Sequence, residues 1–262
     1  MSYTNILTEQ RDSVFLITVN RPKSLNALTG STIQEIGQAV ESTREEQSIT
    51  GIVITGAGEK AFVAGADISE FADYKPEQGT ALSAAGHRVF NLIESFSKPV
   101  IAAVNGFALG GGCELAMSCH IRIGSENSRY GQPEVNLGII PGYGGTMRLA
   151  ELVGKGKAME LLLTADIIDA EEAHRIGLIN HVVSAEELMA KAIKMAAKIG
   201  SKGPIAVALC ISLINTRYRT EEKIGAGYPM ESDSFGELMA SADFKEGTKA
   251  FLEKRKAVFK GK

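Results

Sequence analysis

Apolar residues fall into two rhythms along this chain. Short unbroken runs, VFLITV over Val14–Val19 and GIVIT over Gly51–Thr55, stand beside turn signals such as Arg21-Pro22 and read as strands. Between them Ile33, Ile36, Gly37 and Val40 recur at helical spacing, and Ser31-x-x-Gln34 is a capping-box candidate for that helix start. A helix is expected over about His87–Phe96, followed by strands at Pro99–Val104 (PVIAAV) and His120–Ile123. Strands that recur with helices between them imply right-handed crossover units of an α/β domain.

From about Gly144 the pattern turns mostly helical. Asp169-x-x-Glu172 and Ser184-x-x-Glu187 are further capping candidates, the second ahead of a helix over Leu188–Ile199. Pro204–Asn215 opens with proline at a helix start, and Phe244–Phe259 reads as a charged amphipathic helix. That last helix suits a subunit boundary and a solvated surface equally well. No linker divides the chain, and no internal repeat or low-complexity tract is present.

Composition narrows the class. The 262 residues are 44% hydrophobic and 23% charged, enough for a real core and ordinary for a globular protein. A formal net charge of −3 gives no electrostatic footprint for nucleic acid. No apolar run approaches the roughly 20 residues of a membrane helix. The N-terminal MSYTNILTEQRDS has the look of neither an export nor a transit segment. Cys113, Cys119 and Cys210 form no CxxC pair, as suits a reducing compartment, and the four histidines lack metal-ligand spacing. A cytoplasmic protein without a bound metal is the expectation.

Glycine gathers in three places: Ala64-Gly65-Ala66-Asp67-Ile68, Asn105-Gly106 through Gly110-Gly111-Gly112-Cys113-Glu114, and Pro141-Gly142-Tyr143-Gly144-Gly145-Thr146. Glycine at a strand-to-helix turn lets a ligand approach backbone N–H groups closely, and the helix dipole favours negative charge there. Such loops serve as phosphate cradles, as oxyanion holes, or simply as turns. No GxxxxGK[ST] string occurs and GYGGTM lacks the GxGxxG spacing, so nucleotide hydrolysis and a dinucleotide site are disfavoured. No GxSxG string supports a serine nucleophile, and Cys113 lacks a partner to orient His120, so it reads as a small core residue.

Two acids stand beside these loops. Glu114 follows the triple glycine in the first turn of a helix read over Glu114–Met117, and Glu134 follows Pro133 in the turn YGQPE. Taken singly, one is an ordinary helix N-terminal acid and the other a surface turn acid. Converging on one cavity, they could divide the work of proton donor and proton acceptor that adding or removing water requires.

The stretches RPKSLNAL, KAFVAGADISEF, KPVIAAVNGFALGGGCELAMSCH, YGQPEVNLGIIPGYGGTMRL and FLEKRKAVFK closely resemble the crotonase superfamily, and within it the enoyl-CoA hydratases. The resemblance runs from about Asn20 to Lys260 in the family's order. It implies an α/β fold, a crotonase-like spiral of ββα units over residues 1–195, with a C-terminal helical trimerisation region over 196–262. A trimer or a pair of trimers would follow.

The implied substrate is an acyl-CoA thioester and the implied reaction syn addition of water to a trans-2-enoyl-CoA, giving a 3-hydroxyacyl-CoA. By matching motif positions, the N–H groups of Ala66 and Gly111 would form the oxyanion hole, with Gly111 bare so that the carbonyl can approach. Glu134 would exchange the proton at C2, and Glu114 would activate the water attacking C3, with the Gly142 N–H as support. Ala64, Asp67 and Ile68 would line the adenine and pantetheine path. Lys23, Phe251 and Lys254 are candidates for the CoA phosphates or adenine, the last two from a neighbouring subunit. No cofactor would be needed.

Tyr143 in PGYGG is a departure, bulkier than the residue several hydratases carry there, and implies a short-chain preference. The rival readings are a 3,2-enoyl-CoA isomerase, which needs one principal carboxylate, a non-catalytic RNA-binding member of the superfamily, and a thioester hydrolase.

Overall fold

The computed structural model describes residues 3–218 and 227–258. The chain opens with an antiparallel hairpin, β1 (Ile6–Arg11) and β2 (Val14–Val19), followed by α1 (Gly30–Ser42). Then β3 (Gly51–Gly56) and β4 (Ala61–Ala64) lead to the short α2 (Ile68–Phe71) and the long α3 (Pro76–Glu94). β5 (Val100–Val104) and β6 (Phe107–Leu109) lead to α4 (Gly111–Ser118). β7 (Ile121–Ser125) and β8 (Arg129–Gly131) lead, through a 3-10 turn at Glu134–Leu137, to α5 (Gly145–Val153).

These strand–strand–helix units alternate between two sheets. One has the order β1-β2-β3-β5-β7-β10 and the other β4-β6-β8-β9, so each of the pairs β3/β4, β5/β6 and β7/β8 places one strand in each sheet. Within each sheet these strands run parallel, and the chain advances as a spiral. The remaining elements are α6 (Lys155–Thr164), β9 (Ile168–Asp169), α7 (Ala170–Arg175), β10 (His181–Val183), α8 (Leu188–Gly200), α9 (Pro204–Tyr218), α10 (Gly227–Met239) and α11 (Ala242–Leu252).

The unbroken apolar runs have a direct cause. Ile52, Ile54, Val100 and Ala102 face the main core, while Val53, Ile101 and Ala103 face Leu188, Ala192 and Ala196 of α8. A parallel strand covered on both faces has no polar side to show. The step between sheets is made at Asn105-Gly106. The Asn105 amide donates to the carbonyls of Gly56 and Gly58 at 3.0 and 2.7 Å, tying its own turn to the preceding one. A Cβ on Gly106 would stand 2.2 Å from the Lys60 carbonyl oxygen, so only glycine lets the two turns meet.

Several sequence expectations need correction. The cap of α1 is Thr29, whose hydroxyl accepts the Thr32 N–H at 3.1 Å, rather than Ser31. α3 begins at Pro76 and stops at Glu94, so it starts a full eleven residues before His87 and leaves Phe96 outside. α4 starts at Gly111, which its glycines concealed. The last helix spans Ala242–Leu252, leaving Lys254 beyond its end, and Phe259 lies outside the described residues. The Asp169 cap is present as expected, accepting the Glu172 N–H at 2.9 Å. The short strands β4, β6 and β8 escaped the reading by apolar runs, because three or four residues are too few to establish a period.

Candidate active site

The three parallel strands β4, β6 and β8 end at one edge of the smaller sheet, and each is followed by part of the site. Ala64–Ile68 leaves β4, Leu109–Gly111 leaves β6, and Pro133-Glu134 follows β8. All of these line a single cavity of about 580 Å³, together with Lys23, Gly142, Tyr143, Phe235, Phe251 and Leu252. The carboxyl ends of parallel strands are where α/β sheets collect their ligands, because loops and helix N-termini converge there.

Ala66 and Gly111 line this space, and their backbone amides are placed by the local structure. Leu28 donates to the Gly65 carbonyl at 2.9 Å and accepts from the Asp67 N–H at 2.7 Å. That bridge uses one edge of the strand extension, so the N–H of Ala66 between them points to the opposite edge, toward β6. Gly111 is the first residue of α4, where an N–H has no partner within the helix. The α4 dipole adds positive potential at the same end.

Glycine is demanded at the neighbours of Gly111 more than at Gly111 itself. Gly110 has φ +49° and a Cβ there would lie 2.8 Å from Oε1 of Glu134; one on Gly112 would strike the Val63 carbonyl oxygen. A Cβ on Gly111 would meet only the Tyr143 ring at 3.4 Å and Leu28 at 3.5 Å, ordinary contact distances. Bulk at Gly111 is therefore tolerated by the fold, and its cost falls on whatever occupies the cavity.

Glu114 is 1% exposed and sits one turn into α4, its N–H on the Gly110 carbonyl at 3.0 Å. Its Oε1 accepts the N–H of Tyr143 at 2.7 Å and of Gly145 at 2.8 Å. The carboxylate of one helix thus satisfies amides at the N-terminus of another, α5, where a negative charge is favoured. Gly142 lines the cavity, and its carbonyl accepts from Ser83.

Glu134 begins the 3-10 turn after Pro133. Gln132, 1% exposed, directs its amide nitrogen at both Glu134 oxygens, at 3.1 and 3.2 Å. A Cβ on Gly145 would lie 3.0 Å from the tip of Gln132 and 3.0 Å from Oε1 of Glu114, so a bare glycine stands beside both side chains. Sequence reasoning passed over Gln132; the signal was its place two residues before Glu134 in GQPE.

Asp67 lines the cavity and also holds the loop in place. Arg21 donates to its Oδ2 at 2.8 Å and Ser69 to its Oδ1 at 2.6 Å, so it anchors the Ala66 loop to the Arg21–Leu28 segment. Partial burial pushes the Asp67 carboxyl up, but the hydrogen bonds from Ser69 and Arg21 and the Arg21 charge outweigh it, leaving it below its ordinary value. Lys23, Ala64 and Ile68 line the cavity. Lys254 is not among the lining residues. Phe251 is, with Leu252 beside it.

The roof is aromatic and was not foreseen. Phe235 of α10 and Phe244 of α11 pack on Phe71, with ring centroids 6.3 and 6.4 Å away. Phe235 also limits Gly142, where a Cβ would be 2.9 Å from its ring. Cys113 is buried, and its thiol is pushed up to about 12 by burial first and by the charges of Glu134 and Glu114 next, which ends the nucleophile reading. His120 is structural too: its Nδ1 accepts the Val100 N–H at 2.9 Å, so the Nε2 proton goes to the Glu94 carbonyl at 3.0 Å.

Comparison with known proteins agrees with this geometry. The enoyl-CoA hydratase/isomerase family model matches residues 9–262. A crotonyl-CoA hydratase of Syntrophomonas wolfei is 50% identical, covering 99% of both chains. A short-chain-enoyl-CoA hydratase of Clostridium acetobutylicum is 48% identical over 98% of this chain and 97% of its own. The crystal structure of an enoyl-CoA hydratase from Bacillus anthracis superposes with a TM-score of 0.79 at 39% identity, covering 99% of this chain and all of that one. The chain belongs to the enoyl-CoA hydratase/isomerase family, and its spiral of strand–strand–helix units is the crotonase fold.

Proposed function

We propose that this chain is an enoyl-CoA hydratase that adds water to short-chain trans-2-enoyl-CoA thioesters. The observation that carries the reading is that Glu114, Glu134, Ala66 and Gly111 line one cavity. The thioester oxygen accepts from the Ala66 and Gly111 amides. Glu114 takes a proton from a water molecule whose oxygen attacks C3, the C2=C3 electrons move into an enolate on the thioester oxygen, and Glu134 delivers a proton to C2. Hydroxyl and hydrogen arrive from the same face, and one water is added in total. Paired amides are worth most where charge develops, on the order of 3–4 kcal/mol for each donor. The two amides and two acids supply all that this reaction asks, so a cofactor is unnecessary to it.

Short acyl chains are favoured by Tyr143, a bulky cavity-lining ring packed edge-on to Phe90 at 5.6 Å. The relatives named for crotonyl-CoA and short-chain enoyl-CoA point the same way. Phe251, exposed and lining the cavity, and Lys23 offer the CoA moiety apolar contact and charge. A trimer, or a pair of trimers, is supported by α9, whose Ile205, Leu209 and Leu213 form an exposed apolar stripe one turn apart.

The test is an acyl-CoA panel followed simultaneously for hydration, double-bond migration and thiol release. Loss of crotonyl-CoA absorbance ahead of the other signals is expected. Faster 3-enoyl-CoA conversion would make the chain an isomerase, and free CoA thiol would make it a hydrolase. No turnover together with a salt-dependent RNA shift would make it a non-catalytic member.

A further inference from the structure

The loop that holds Glu114 is rich in glycine, and something must fix its shape. Gly142, Gly144 and Gly145 surround Tyr143, and Gly144 has φ +99°, a conformation that glycine adopts easily and leaves easily. Yet the N–H groups of Tyr143 and Gly145 meet the same oxygen of Glu114 at 2.7 and 2.8 Å. Holding both vectors requires the peptide between them to be pinned.

Arg148 supplies that pin. Its side chain is 2% exposed, and its Nη1 donates to the Tyr143 carbonyl at 2.8 Å. Its Nη2 donates to Oδ1 of Asn91 at 2.7 Å and to Oε2 of Glu94 at 2.9 Å, both on the last turn of α3. The same helix clasps the Tyr143 ring, with Phe90 at its edge and Gly86 so close that a Cβ would overlap it. The end of α3 is itself secured, because the Glu94 carbonyl accepts from Asn215 of α9 at 2.6 Å and from His120. A planar guanidinium with charge-assisted bonds in two directions is suited to brace one backbone carbonyl against a helix end.

We infer that Arg148 is a positioning residue for hydration: by bracing the Tyr143 carbonyl against Asn91 and Glu94, it aims the Tyr143 and Gly145 amides at Glu114 and so orients the carboxylate that activates water. It touches neither the substrate nor the reacting atoms. The inference rests on the role proposed for Glu114.

Two reactions of this site separate that role from a general defect. Hydration of crotonyl-CoA needs Glu114. Exchange of the C2 hydrogen of butyryl-CoA with D2O needs only Glu134 and the two amides: Glu134 removes the proton, the enolate is held, and deuterium returns to C2. Removing Arg148 alone strands Glu94 in a partly buried site, so Arg148→Met is paired with the double variant Arg148→Met/Glu94→Met, which replaces both charges by apolar groups.

The expected result is that kcat for hydration falls by at least ~10-fold with KM within ~2-fold, that butyryl-CoA exchange stays within ~3-fold, and that Arg148→Lys recovers part of the loss. Equal losses in hydration and exchange, or wild-type hydration in a folded Met variant, would overturn the inference. If neither Met variant folds, Asn91→Ala decides, since it strips one acceptor and leaves the charge pair. A drop in hydration alone supports the brace and an unchanged kcat removes it. Glu114→Gln is the control: if it hydrates normally, the role of Glu114 itself has failed, and not merely the brace.

Discussion

Oε1 of Glu114 lies 2.8 Å from the N–H of Gly145, the first residue of α5, so an acid from one helix terminates another. A side chain in that position gains the pull of a helix N-terminus while remaining on the cavity wall. Its orientation is thereby set before any substrate arrives, which is the preorganisation that the role proposed for Glu114 requires.

Glu114→Gln and Glu134→Gln are each expected to cut hydration by at least ~100-fold while the fold persists, in line with general acid–base contributions. Crotonyl-CoA hydration rates and circular dichroism of each variant check this. Wild-type-like turnover in either one would mean the roles are misassigned.

The glycines of the α4 loop should separate into two kinds. Gly111→Ala is expected to fold and to lose kcat/KM, because its Cβ enters the cavity beside the Tyr143 ring at 3.4 Å. Gly110→Ala combines φ +49° with a 2.8 Å approach to Glu134, so it should lose both stability, by about 1–2 kcal/mol from backbone conformation, and activity. Thermal melts beside crotonyl-CoA kinetics distinguish them.

Asp67 gives the stability a pH dependence of known sign. Its carboxyl is held below the ordinary value of 3.8, so its pairing with Arg21 and Ser69 contributes above that pH and is lost as pH falls through its folded-state value. The stability gap between wild type and Asp67→Asn should therefore be largest near pH 6 and close toward pH 3. Urea unfolding at both pH values measures it, and a gap independent of pH would show that the pair contributes nothing through ionisation.

The cysteines should differ sharply toward alkylation. Cys210 is exposed, whereas Cys113 and Cys119 are buried with thiols pushed up to about 12. Iodoacetamide at pH 8 is expected to modify Cys210 in the folded protein and to spare the other two, read by peptide mass mapping. Cys113→Ala should retain hydration within a few-fold.

Tyr143→Ala should shift the chain-length profile. The ring fills space between Gly86, Phe90 and Gly111, and removing it opens the cavity beside Gly111. Relative kcat/KM for decenoyl- over crotonyl-CoA is expected to rise about 10-fold or more, as a change of several methylene-sized contacts allows. An unchanged ratio would place the chain-length limit elsewhere.

The sequence by itself determined the longer elements and the family. The runs of β2, β3 and β5 announced strands covered on both faces, and the order of GGGCE and GQPE carried the family resemblance, because local composition suffices for features that depend on local burial and turn chemistry. Only the tertiary structure decided which groups meet. That Tyr143 and Gly145 hold the Glu114 carboxylate, and that Asp67 answers Arg21, depend on contacts across 29 to 46 residues, and the meeting of the three glycine loops depends on the alternation of strands between two sheets. The aromatic roof of Phe235 and Phe244 likewise arises from α10 and α11 folding back on Phe71. Such long-range pairings leave no periodic mark on a chain, since what specifies them is complementary shape and charge on segments distant in sequence.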